Sequence, residues 1–96
     1  MRFEWDGTKA TSNLKKHHVS FDEAVTVFYD PLAASFADPD HSRDDSRLVT
    51  VGYSVQGRLL VVCHVERAGV VRVISARRAT PRERKRHEGQ EPRRGG

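Results

Sequence analysis

The residues best suited to chemistry in this 96-residue chain are one histidine and a set of arginines in its second half. Three segments rich in Val, Leu and Ile, Arg47–Ser54, Arg58–Glu66 and Val70–Ala76, read as strands. The connections Val55-Gln56-Gly57 and Arg67-Ala68-Gly69 each end in the glycine that a three-residue hairpin loop places in the left-handed region. A two-residue Ala68-Gly69 turn would force alanine to positive φ, so the longer loop is preferred. With these loops His64 falls directly opposite Arg72, a pairing that a one-residue change of register would break. An imidazole beside a guanidinium suits a polyanion, because arginine grips phosphate bidentately and histidine titrates near neutrality. Metal-free RNA cleavage needs a deprotonated 2′-hydroxyl, stabilised charge on the phosphorane and a protonated 5′-oxygen. His64 is the candidate acid or base, and Arg72 and Arg77 are the candidate phosphate clamps. Arg47 either holds a loop through Asp45 or reaches a substrate from the sheet edge. The bland alternative is a half-buried strand histidine beside an exposed arginine.

The elements that must position these groups are marked by local signals. Arg2-Phe3-Glu4-Trp5 alternates polar and apolar as a short edge strand does. Asp6 or Thr8 caps a helix running to about His17. Ser20-Phe21-Asp22-Glu23 is a capping box, and the helix after it presents Phe21, Ala24, Val25 and Phe28 as one stripe before Asp30-Pro31 ends it. Asp38 to Ser46 reads as a polar surface loop. In the strands, Val49, Val51, Tyr53, Leu59, Val61, Cys63, Val65, Val71 and Val73 share one apolar face, which is expected to pack against the two helices. Leu48, Thr50, Leu60, Val62, His64, Glu66, Arg72, Ile74 and Ala76 form the other face. Thr80-Pro81-Arg82-Glu83 opens a third helix to about Glu88 with no apolar side, and residues 89–96 are expected to form a disordered tail.

Composition narrows the function classes. The net charge is +4, yet residues 1–76 hold 9 basic and 10 acidic side chains, whereas residues 77–96 hold 8 and 3. The basicity belongs to the C-terminal segment, where Arg78, Arg82, Lys85 and Arg86 are candidate RNA contacts or simply a solvated face. One cysteine, Cys63, excludes an internal disulfide and a Cys-rich zinc module, and it reads as an inert core residue. Adjacent His17 and His18 cannot both face one metal from a helix, so no metal site and no cofactor are expected; they read as caps of a helix C-terminus. Trp5 reads as a packing anchor. Without a signal peptide or a long apolar run, the expected setting is the cytoplasm, with no membrane partner and one domain spanning 1–88.

The order of motifs resembles a known family. Phe3-x-Trp5-Asp6-x-x-Lys9, Asn13-x-x-Lys16-His17 and Val19-x-Phe21-x-x-Ala24 are followed by Asp38 to Ser42, Arg47, Gly52 and Leu60-Val61-Val62. Arg72-Val73-Ile74-Ser75-Ala76-Arg77-Arg78-Ala79-Thr80 with Glu83 completes the series. Together, over about residues 2–88, they resemble BrnT-type toxins. The resemblance implies a RelE-like α+β fold, with two N-terminal helices on a small antiparallel sheet of three to four strands and a short basic C-terminal helix. It also implies a ribonuclease toxin of a type II toxin–antitoxin pair that needs no metal. The implied partners are RNA, a BrnA-type ribbon-helix-helix antitoxin and, through it, operator DNA whose operon the complex represses. The chain departs from the family pattern at His18, where glycine is usual, at Asp45 in place of glutamate, and at His87 in place of tyrosine. The competing class is a non-catalytic module that binds nucleic acid or protein within a regulatory complex.

Overall fold

The computed structural model describes residues 1–39 and 46–90, so the polar loop expected over Asp38–Ser46 lies outside the described residues from 40 to 45, as does the expected tail from 91 to 96. Strand β1 (Arg2–Trp5) leads into α1 (Gly7–His17), then α2 (Phe21–Ala24), which tightens into a 3₁₀ turn over Val25–Tyr29. Strands β2 (Ala34–Ala37), β3 (Arg47–Tyr53), β4 (Leu59–Arg67) and β5 (Val70–Arg78) follow, and α3 (Pro81–Gln90) closes the described chain. The α+β class holds, but the sheet is larger than expected and mixed. Its five strands run in the order β1-β5-β4-β3-β2, with β1 parallel to β5 and the other neighbours antiparallel. Strand β2 carries no turn or alternation signal and was not expected.

The N-terminal elements follow their caps. The Asp6 carboxylate accepts from the amides of Thr8 and Lys9, and these hydrogen bonds, that of Lys9 foremost, hold its carboxyl below the usual range. Helix α1 leaves through His18 at φ 58, whose amide donates to the Leu14 carbonyl, so a histidine occupies the left-handed position that favours glycine. Ser20 Oγ accepts from the Glu23 amide at 3.0 Å, half of the expected capping box. The other half is absent because the Glu23 carboxylate turns inward to Arg58 and to the Ser54 hydroxyl. Arg58 pairs with both Glu23 oxygens and donates to the His18 carbonyl, tying the α1–α2 corner to the β3–β4 hairpin. Burial is affordable for this carboxylate because charge-assisted bonds occupy both oxygens, and Arg58 holds its pKa low.

On β3 and β4 the sheet's two faces are reversed from expectation, whereas Val73 of β5 lies under the helices as expected. Helices α1 and α2 cover Leu60, Val62, Val73 and Ala76 through Val19, Phe21, Ala24 and Val27, with Trp5 and Phe28 at the margin. Val49, Val51, Leu59 and Val61 form a second cluster on the opposite face, with Tyr53, Cys63 and Ala79 beside it. Two departures on β5 produce this arrangement. The β4–β5 turn has two residues, with Ala68 at φ 50 and Gly69 at φ 78, so Arg67 rather than Glu66 pairs with Val70. A bulge then shifts the register between Cys63 and His64, which pair with Ser75 and Val73. The β3–β4 loop keeps its expected three residues, with Gly57 at φ 77.

Asn13 fastens α1 to the strand that carries Arg77. Its side-chain amide donates to the carbonyls of Val19 and Ala76 at 2.9 and 2.8 Å, and its oxygen accepts from the Ala76 amide at 3.1 Å. Strand β1 stops at Val73 on this edge of β5, so a buried side chain satisfies backbone groups that a neighbouring strand would otherwise pair.

Candidate functional site

The face left open by α1 and α2 carries a groove of about 280 Å³. Its floor is Val49, Val51, Val61 and Cys63, and Arg47 and Arg77 line it from β3 and β5. Sheet pairing explains their meeting. Arg77 stands opposite Val61, and Arg47 opposite Val65, so both project to the same side as the apolar floor. Phe36, half exposed on the edge strand β2, and the buried Asp38 complete the rim. The floor cysteine is half-buried in the groove rather than enclosed in the main core.

Glu83 enters the groove from the first turn of α3. Arg77 donates from Nη1 to Oε1 at 2.7 Å and from Nη2 to Oε2 at 2.9 Å, a fork-on-fork pair. Glu83 Oε1 also accepts from the Thr80 amide, and its own amide donates to Thr80 Oγ1, the complete capping box expected there. The guanidinium, assisted by the Thr80 amide, draws the Glu83 carboxyl down to about 2, so the groove holds a carboxylate at neutral pH. Arginine has five N–H donors, and the pair uses two; donors remain for a phosphate. The sequence marks Glu83 as a cap, but its grip on Arg77 depends on the chain turning back at Ala79, which no spacing rule announces.

Helix α3 has no apolar stripe, as expected, and docks through a few specific contacts instead. The buried His87 ring meets Tyr53 edge-on at 5.9 Å, the Tyr53 hydroxyl reaches Glu88 at 3.5 Å, and Glu83 anchors the start. The helix runs to Gln90, two residues beyond the expected end. Arg82, Lys85 and Arg86 are exposed on its outer side, and Arg78 is exposed at the end of β5. None of these four lines the groove.

Arg72 lies on the groove's face at its far end, opposite Val65, and makes an exposed 3.4 Å ion pair with Glu4 of β1. His64 lies elsewhere. It is 2% exposed beneath the Phe28 ring, whose centroid is 4.9 Å away, and its Nε2 is 2.7 Å from the Thr50 hydroxyl. Burial pushes its pKa down, and Nδ1 has no hydrogen-bond partner. The two-residue turn at Ala68-Gly69 moves Arg72 off the histidine's face, so the expected His64–Arg72 pair does not form. The structure brings Arg47 and Arg77 together, sets Arg72 beside them and leaves His64 in the core. Among the described residues no three His, Cys, Asp or Glu side chains stand together to hold a metal ion, and no helix is long and apolar enough to cross a membrane.

A mixed sheet backed by helices on one face, with an apolar floor bordered by arginines on the other, defines a small α+β protein. The family described as the ribonuclease toxin BrnT of type II toxin–antitoxin systems matches residues 5–83, and the chain belongs to it. The fold is similar to that of the Brucella abortus ribonuclease toxin BrnT in its crystal structure, with a TM-score of 0.66 and 23% identity over 83% of this chain and 97% of that one. Comparison with curated proteins finds no match.

Proposed function

We propose that this chain is a metal-independent endoribonuclease toxin whose cleavage site is the Arg47–Arg77–Glu83 groove, carried by a single domain of residues 1–88. The observation that supports it most is the convergence of two guanidiniums from separate strands on one apolar floor, with one of them held in place by a carboxylate. In this reading a base lies over Val49, Val61 and Cys63 while the scissile phosphate meets Arg77 and Arg47. Their fixed donors stabilise charge on the phosphorane, supplying what a metal ion supplies elsewhere. Glu83 orients Arg77 and takes the proton of the attacking 2′-hydroxyl as its oxygen bonds to phosphorus; the P–O5′ bond breaks and that proton passes to the departing 5′-oxygen. Its low pKa makes it a weak base, so charge stabilisation and alignment are the larger contributions. Arg72 holds a neighbouring phosphate. Arg78, Arg82, Lys85 and Arg86 draw RNA in by long-range attraction that salt would screen.

The family supplies the rest of the reading. The toxin acts in the cytoplasm, a BrnA-type ribbon-helix-helix antitoxin neutralises it, and the complex represses its own operon through operator DNA. The test is incubation of the purified protein with a mixed-sequence RNA in EDTA, followed by mapping of the product ends. Wild type is expected to cut, and Arg77→Ala to lose activity by about 100-fold or more. Binding without cleavage by the wild type under every condition would assign the chain to the non-catalytic class instead.

A further inference from the structure

Among the described residues, the arginines of the groove, Arg47 and Arg77, are matched by the carboxylates Asp38 and Glu83. Further positive charge, on Lys9 near Asp6 and on Lys16, lies just over the edge of the sheet. A notch of about 260 Å³ separates α1 from β5 and is lined by Lys9, Ser12, Lys16 and His17 on the helix and by Ile74 and Ser75 on the strand. Lys9 and Lys16 are seven residues apart, two turns along one face of α1, so both ammonium groups lean toward the same strand. Among the described residues no carboxylate lines the notch and neither lysine makes a salt bridge.

The notch and the groove meet. Ile74 and Ser75, the residues at the β-bulge, line both cavities, and β1 ends at Val73, so no strand walls the notch off. Asn13, between the lysines in sequence, fixes the distance from α1 to β5 through its bonds to Ala76. The site is therefore held by a rigid contact rather than assembled by flexible side chains alone.

We infer that the α1–β5 notch is a second phosphate subsite, in which Lys9 and Lys16, with the hydroxyls of Ser12 and Ser75, hold an RNA backbone that leaves the groove across the bulge. This rests on the groove being the RNA site. Lysine acts here as a point charge on phosphate and reads no base, so the subsite adds affinity for longer RNA without sequence preference. An acidic protein segment is the rival occupant, but the shared Ser75 wall makes the notch continuous with a path for a nucleic-acid chain.

The test uses the full chain and non-cleavable 2′-O-methyl RNA of 3 and 12 nucleotides. In the Lys9→Gln/Lys16→Gln variant, the 12-mer is expected to bind about tenfold more weakly, and the salt slope to fall by about 1.4, the value for two lost single-strand phosphate contacts. Binding of the 3-mer, too short to span both cavities, is expected to change less than twofold. Lys9→Arg/Lys16→Arg is expected to retain 12-mer affinity and slope. Both lysines are exposed, so the melting temperature serves as a check on folding. An unchanged 12-mer affinity and slope in the Gln variant would overturn the subsite while leaving the groove intact. Failure of the wild type to bind either RNA would overturn both. Loss of neutralisation by a protein antitoxin with RNA binding unchanged would assign the notch to that partner and overturn the RNA reading.

Discussion

Arg77 and Glu83 face each other as two forks, Nη1 to Oε1 at 2.7 Å and Nη2 to Oε2 at 2.9 Å, and so join the end of strand β5 to the first turn of α3. The pair positions a functional guanidinium and also clamps a helix that has little apolar surface of its own. Lysine cannot reproduce the fork, since its ammonium is a point donor. Arg77→Lys is expected to lower kcat/KM on RNA by about 100-fold. The folded protein is expected to lose no more than about 1 kcal/mol, because the pair is partly solvated. Steady-state cleavage beside urea denaturation separates the two effects. A variant with equal losses in both would show that Arg77 is structural alone.

Glu83 also sets an acid limb of stability. Its folded pKa, about 2, is below the ordinary value of 4.5, so the unfolded chain binds the proton more readily. Its contribution is fully present above about pH 5 and disappears as pH falls toward 2. Glu83→Gln is expected to be less stable than wild type at pH 7 by about 1 kcal/mol after allowance for solvent screening. About a quarter of the gap should remain at pH 2.5, and it should close below about pH 2, as guanidinium denaturation across that range would show. A constant gap would mean that packing, not charge, is the source.

His64 behaves as a core residue with a pH cost. Burial lowers its pKa below the ordinary 6.5, so the unfolded state takes up the proton first and stability falls as pH drops below that value. Glu66 is the charged group that acts against this shift, while Phe28 and Thr50 face the ring without charge. His64→Leu leaves the Thr50 hydroxyl bonded to Ser35 Oγ at 2.6 Å, so no new orphan is made. The variant is expected to stay within about 1 kcal/mol of wild type at pH 7. Between pH 6.5 and 5 it should lose less stability than wild type does. RNA cleavage within threefold of wild type is expected; a loss of 100-fold would return His64 to the catalytic machinery.

Local chemistry in the sequence locates most elements, and it fails where tertiary demands override local cost. Asp6 and Ser20 mark helix starts because their side chains bond amides two or three residues away, entirely within reach of sequence. The β4–β5 register is different. Avoiding positive φ at Ala68 is the sound local choice, yet the fold adopts it, and that single residue decides which face Arg72 takes. The bulge at Ile74 depends on the fit of β5 between β4 and α1 and leaves no local signature. Face polarity misled for a related reason. Thr50 and His64 look like solvent-facing groups, but the Thr50 hydroxyl pairs with His64 Nε2 and the ring packs against Phe28, so both are buried. Arg47 and Arg77 were legible as candidates by type and motif, whereas the Glu83 partner rests on the chain's reversal between β5 and α3 and the Asn13 clasp on a contact 63 residues away in sequence.

Strain at two left-handed residues offers stabilisation without touching the groove. His18 at φ 58 and Ala68 at φ 50 each carry about 1–2 kcal/mol of backbone cost relative to a residue suited to that region. His18→Gly recovers part of it, less what glycine adds to unfolded-chain entropy, for a net gain of about 0.5–1 kcal/mol. Ala68→Asn places the preferred residue ahead of glycine in a two-residue hairpin turn and should gain a similar amount. Among the described residues neither side chain makes a polar contact, and the His18 carbonyl still accepts from Arg58 at 3.0 Å. For a domain of this size each kcal/mol raises the melting temperature by about 4–8 °C. The positions lie on different hairpins and helices, so the double variant is expected to add within about 0.5 kcal/mol. Calorimetry of the four proteins checks this. A fall in melting temperature for Ala68→Asn would contradict the two-residue turn and, with it, the register that sets Arg72 on the groove's face.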